Sequence, residues 1–79
     1  MKTHNVKIER EFLNAVIDGK KTFEIRKNDR NYQVGDRVRM SDGQRYVVVR
    51  ISYLTDYAQK DGYVVFSFIW IHGGIESGV

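Results

Sequence analysis

The chain has 79 residues, 13 Lys and Arg against 10 Asp and Glu, and neither cysteine nor proline. That length suits one small domain that buries only about 60 to 65% of its unfolded surface, and ten aromatics within a 42% hydrophobic fraction supply the dense core it needs. The 29% charged fraction argues against an intrinsically disordered chain, and the absence of cysteine excludes a disulfide framework or a thiolate metal site.

His4, Val6 and Ile8 share one parity against Asn5 and Lys7, so the chain opens with a short half-buried strand. From about Glu9, the positions Phe12, Leu13, Val16 and Ile17 form one apolar stripe at helical spacing, with Glu9 and Glu11 at the positive end of the dipole. Asp18-Gly19 ends that helix, Gly19 taking the left-handed conformation, with Lys20 and Lys21 near the negative end. The strand that follows, residues 22–26, places Phe23 and Ile25 inward and Thr22, Glu24 and Arg26 outward on this reading. Asn28-Asp29-Arg30-Asn31 is a polar turn anchored by Tyr32 and Val34.

Val34-Gly35-Asp36 leads into a strand over 37–40, with Val38 and Met40 inward and Arg37 and Arg39 enlarging an outer basic face. Asp42-Gly43 predicts a type I′ hairpin joining that strand to 45–54. Strands 45–54 and 63–71 are apolar on both parities, which predicts cover on both faces; residues 55–62 between them are polar and too few for more than one helical turn. The glycine-rich tail, 72–79, is predicted to fray, flexible from about residue 73. Five or six strands with a single helix to cover them predict a β-rich α+β fold over residues 1–79, a closed or nearly closed barrel in which few sheet edges stay exposed.

Charge is unevenly placed. Residues 20–39 are net +4, with Lys20, Lys21, Arg26, Lys27, Arg30, Arg37 and Arg39 against Glu24, Asp29 and Asp36, whereas the rest of the chain is net −1. A local basic surface concentrates anionic partners, of which nucleic acid is the commonest. Glu24 and Arg26, neighbours on one strand face, also suit a partly buried ion pair holding the barrel mouth. His4 is a satisfied histidine beside the helix rather than a catalytic base on this reading, and with His72 so distant no metal set is expected. No run of about 18 apolar residues is present, so a soluble cytoplasmic protein without membrane partners or cofactors is expected.

The run from Leu13 to Arg26, containing Gly19-Lys20-Lys21-Thr22-Phe23-Glu24-Ile25-Arg26, resembles the helix, the Gly-x-Lys-x-x-Glu-x-Arg motif and the strand of ASCH domains in the PUA-like superfamily. Its extension through Lys27-Asn28-Asp29-Arg30, with Val34-Gly35-Asp36 and Asp61-Gly62-Tyr63, is similar to a subfamily of small uncharacterised bacterial and bacteriophage proteins. The resemblance covers roughly residues 4 to 68. It implies a small PUA-like β-barrel with a helix packed by its mouth and an RNA-binding cleft beside the motif strand. Carried over, it places Lys21, Glu24 and Arg26 in the cleft and adds Lys27, Asn28 and Arg30 as nucleic-acid-binding candidates. Lys21, Lys27 and Arg30 are expected to neutralise phosphates, Glu24 and Arg26 to meet a base or sugar edge, and Tyr32 or Tyr63 to stack.

Two alternatives stand beside single-stranded RNA or nucleotide binding by a monomer. Some small ASCH-like proteins resemble metal-independent amidohydrolases of N4-acylated cytidines, in which case Lys21 and Glu24 are the catalytic candidates. Here Glu24 occupies the position of that group's Thr, and the strand over 63–71 has no acidic residue to match its distal Glu. The other alternative is a phage or host protein-interaction module, for which an exposed Trp70 is the expected mark.

Overall fold

In the computed structural model, which describes residues 1–77, the order is β1 (Thr3–Lys7), α1 (Arg10–Ile17), β2 (Phe23–Lys27), β3 (Arg37–Ser41), β4 (Arg45–Thr55) and β5 (Tyr63–Ile75). The strands make one sheet in the order β1-β3-β4-β5-β2, with β1 parallel to β3 and every other pair antiparallel. This sheet is curled into a half-barrel rather than closed. Among the described residues no ladder joins β1 to β2, the two edges, and the side chain of Arg26 crosses the seam instead, donating to the Lys7 carbonyl at 2.8 Å. Curling is eased by the register shifts between β4 and β5 at Val48/Val49 and Ile51/Tyr53, because a bulge bends its strand and increases the local twist.

The helix ends as its sequence requires. Gly19, at φ +75°, donates to the Val16 carbonyl at 3.1 Å, and Lys20 donates to Ala15 at 2.9 Å, the paired bonds of a Schellman cap. Leu13 and Val16 are buried, but Phe12 and Ile17 stay partly exposed, because α1 packs chiefly against β4 and covers less surface than its apolar stripe spans. Among the described residues no helix is long and apolar enough to cross a membrane.

The core lies in the concavity: Val6, Leu13, Val38, Met40, Val47, Val49, Ile51, Val64 and Phe66, with Tyr32 buried among them. Cover on both faces of β4 is confined to Val47–Val49; Arg50 and Tyr53 are exposed, as are Ile69 and Trp70 on β5, since among the described residues no second layer lies over the convex side of the half-barrel.

The β3–β4 hairpin forms with Ser41 opposite Tyr46, but its turn is not type I′. Gly43 alone has positive φ there, and Asp42 instead accepts the backbone N–H groups of Gln44 and Arg45, both at 2.9 Å. β5 also continues into the glycine-rich segment, as far as Ile75. β4 is long enough to pair β5 as far as Arg45 with Ile75, and Glu76 then donates its N–H to the Gln44 carbonyl. A Cβ on Gly73 would lie 3.0 Å from Trp70 Cη2, and one on Gly74 would lie 2.9 Å from Tyr46 Oη, so the glycines let these rings lie on the backbone. Their sequence signature resembles that of a loose end. Residues 78 and 79 of the predicted tail lie outside the described residues.

Candidate ligand cleft

β2 reaches the sheet edge straight from the Gly19 cap, and its parity is the reverse of the expected one. Glu24 is 5% exposed and Arg26 faces the same interior, while Phe23 and Ile25 are 44% and 54% exposed on the convex side. Pairing decides this. Glu24 sits opposite Phe66 and Arg26 opposite Val64, and directly opposed residues share a sheet face, so the burial of Val64 and Phe66 takes the charged pair inward. A slip of one residue would turn all of them over.

The buried carboxylate is matched from both sides. Lys21 Nζ donates to Glu24 Oε1, and Arg26 Nε donates to Oε2 at 2.7 Å. Lys21 also donates to the Phe23 carbonyl at 2.9 Å and stands 5.6 and 5.3 Å from the ring centres of Phe12 and Phe23, within cation–π range. The ion pair anticipated from the i, i+2 spacing is therefore present, enlarged by Lys21 into a triad.

Between the two sheet edges lies a cleft of about 1240 Å³. Lys7, Glu9, Arg10 and Phe12 line it from β1 and α1; Glu24, Arg26, Lys27 and Tyr63 from β2 and β5; and Asp42 and Gly43 from the hairpin turn. Of the predicted site residues, Glu24, Arg26 and Lys27 are brought together there. Lys21 supports Glu24 without lining the cleft, and Arg30 is exposed on the turn away from it. Asn28 is bound into that turn: its Oδ1 accepts from Tyr32 N and its own N–H donates to Gly62, both at 2.9 Å, and it lines a smaller recess of about 350 Å³.

Of the two candidate stacking rings, Tyr63 lines the cleft and Tyr32 does not. Tyr32 is packed between His4 and Phe66, ring centres 4.7 and 5.1 Å away. Burial raises its hydroxyl pKa, partly offset by the guanidinium groups of Arg26 and Arg30. The outer arginine pair is similarly reduced. Arg39 makes a bidentate bond to Glu76, at 3.0 and 2.6 Å, and lies 4.0 Å from the Tyr46 ring centre, leaving Arg37 exposed. Lys7, Arg10, Phe12 and Asp42 were missed as cleft residues because they come from segments distant in sequence; no spacing rule joins them.

His4 is buried with its Nε2 2.8 Å from Asp36 Oδ2, so its partner is the turn before β3, not the helix. Asp36 also accepts the N–H groups of Lys2 and Gln33, each at 3.1 Å. Burial alone would raise the Asp36 pKa, but the bonds from His4, Lys2 and Gln33 outweigh it and hold the carboxyl below its ordinary value.

Fold and cleft together define a small β half-barrel whose two sheet edges face one another across a charged groove. The chain matches the family described as a domain of unknown function, DUF3850, over residues 3–68, and it belongs to that family. It is similar to an uncharacterised 12.9 kDa protein in the GpA 3′ region of Escherichia phage P2, with 38% identity over 61 residues, or 70% of this chain. The chain spans 56% of that relative's length. The family match runs from β1 into β5 and contains every cleft residue named above, from Lys7 to Tyr63.

Proposed function

We propose that the cleft binds a nucleotide or a short single-stranded RNA, in the manner implied by the resemblance to ASCH domains of the PUA-like superfamily. The observation that carries this reading is the placement of three exposed cations, Lys7, Arg10 and Lys27, around a groove that also holds a fixed arginine and an aromatic ring. Lys7 and Lys27 have no acidic partner within 4 Å among the described residues, so both are available to phosphate. Arg26 is oriented by its bonds to Glu24 and the Lys7 carbonyl, which occupy two of its five N–H groups and leave three for a base or sugar edge. Tyr63 offers a π-face to a neighbouring base.

Titration of the isotope-labelled protein with short single-stranded RNA, at two salt concentrations, tests the reading. Amide shifts should cluster on β2, the end of β1 and Tyr63. Three phosphate contacts give a salt exponent of about −2, so a rise from about 50 to 200 mM should weaken binding roughly 20-fold. Shifts elsewhere, or affinity indifferent to salt, would refute it. The Lys21–Glu24 contact favours a second reading, the amidohydrolase, because it sets an amine beside a carboxylate. Conversion of an N4-acylated cytidine in the same tube would promote that reading. The exposed convex side chains Phe23, Ile25, Tyr53 and Ile69 favour a protein partner, and silence from both ligands would promote that one.

A further inference from the structure

The hairpin turn between β3 and β4 carries an unspent hydrogen-bond acceptor to the cleft. Asp42 lines the groove with its side chain 4% exposed. Its Oδ1 does the work of the turn, accepting from Gln44 and Arg45. Its Oδ2 is buried with no hydrogen-bond partner, and among the described residues no other buried side-chain oxygen or nitrogen is in that condition. Nearly all buried polar atoms in native proteins are bonded, so such an orphan needs a reason. The turn does not give one, because Asn or Ser could supply the single acceptor that the loop uses.

The nearest cation is Arg10, whose Nε stands 3.7 Å from Asp42 Oδ2, beyond hydrogen-bond range. Its side chain is 63% exposed, and its guanidinium is tethered by one bond of 3.1 Å to Gln44 Oε1. The rest of the groove is rich in donors. Both oxygens of Glu24 are already taken by Lys21 and Arg26, and Glu9 is exposed to water.

We propose that Asp42 Oδ2 accepts an exocyclic amino N–H from the base of the cleft's ligand, so that nucleobases bearing such a group bind in preference to their oxo counterparts. This rests on the nucleotide reading above. Arg10 is the complementary part: a bound phosphate draws its guanidinium across the groove and uncovers the carboxylate oxygen for the base. The backbone N–H groups of Arg45 and Gln44 hold the Asp42 carboxyl below its ordinary pKa, so at neutral pH it accepts and cannot donate.

The test compares AMP with IMP and CMP with UMP, as mononucleotides and as the homotetranucleotides, by titration calorimetry on the protein and on Asp42→Asn. Asparagine keeps a carbonyl for the two turn N–H groups and replaces Oδ2 by an NH₂ donor. The protein should bind the amino member of each pair about tenfold or more tightly, as expected of a hydrogen bond to a charged group. Asp42→Asn should lose or invert that preference while phosphate-dependent binding persists. Equal affinities within each pair, or a preference that Asp42→Asn leaves unchanged, would overturn the Asp42 assignment and leave nucleotide binding standing. Absence of binding by all of them removes the nucleotide reading and this inference with it. Should the variant fail to fold, the comparison within pairs on the unaltered protein decides.

Discussion

Glu24→Ala separates a structural triad from a ligand-contacting one. Glu24 is 5% exposed and accepts two charge-assisted bonds, so its removal leaves Lys21 and Arg26 without their shared counter-ion. Stripping one partner from a fully buried pair costs about 3–5 kcal/mol. Here the two cations retain 18% and 25% of their side-chain exposure and recover part of their hydration, which lowers the expected cost to about 2–3 kcal/mol. Arg26→Ala should cost less, about 1–2 kcal/mol, because Glu24 keeps Lys21. With a urea m-value of about 1 kcal/mol/M for so small a domain, the Glu24→Ala midpoint should fall by roughly 2–3 M and that of Arg26→Ala by about half as much. On the proposed nucleotide or RNA binding, affinity should show the reverse order, Arg26→Ala abolishing it in a protein that still folds. A Glu24→Ala loss below about 0.5 kcal/mol, or an Arg26→Ala loss larger than that of Glu24→Ala, would refute the argument that a buried carboxylate organises this seam.

Two further outcomes follow from bonds at the ends of the sheet. Because hydrogen bonds from His4, Lys2 and Gln33 overcome the effect of burial and hold the Asp36 carboxyl below its ordinary 3.8, folding favours its ionised form. That contribution is fully present above about pH 5 and is lost as the pH falls through 3.8 to the lower folded value. The stability gap between the protein and Asp36→Asn, measured by urea unfolding, should therefore narrow as the pH falls from about 5 through 3.8; a gap that widens over that range contradicts this. At the other end, Glu76 accepts from Arg39 and Ser41, and these bonds hold its carboxyl below the usual range. Glu76→Gln should speed amide hydrogen exchange at Gly74 and Ile75 while leaving Val64 and Phe66 protected; unchanged exchange would mean that the β4 ladder alone secures the end of β5.

Much of this architecture is local and therefore legible. The stripe from Phe12 to Ile17 with Asp18-Gly19 behind it predicts the helix and its cap, and α1 with its Schellman bonds is what forms. The runs on either side of Asp42-Gly43 predict paired strands, and β3 and β4 pair throughout. The turn departs from the type I′ geometry that Asp-Gly usually signals because Asp42 stabilises it through its side chain, a competitor to that backbone geometry. The candidate site was legible only where it lies in one segment: Glu24, Arg26 and Lys27 reach the cleft, but their companions Lys7, Arg10 and Asp42 come from other elements.

By itself, then, the sequence determined where each element begins, what kind it is, and that positive charge gathers around the second strand. Alternation divides a strand into two faces without saying which is inside. Tertiary structure chose the face of β2 by pairing it with buried Val64 and Phe66, although the apolar pattern of Phe23 and Ile25 pointed the other way. It also left the barrel open between β1 and β2, creating the cleft, and ordered a glycine-rich end by laying it along β4. Each of these depends on a partner distant in sequence, and hydrogen bonding and burial between such partners leave no mark in local periodicity.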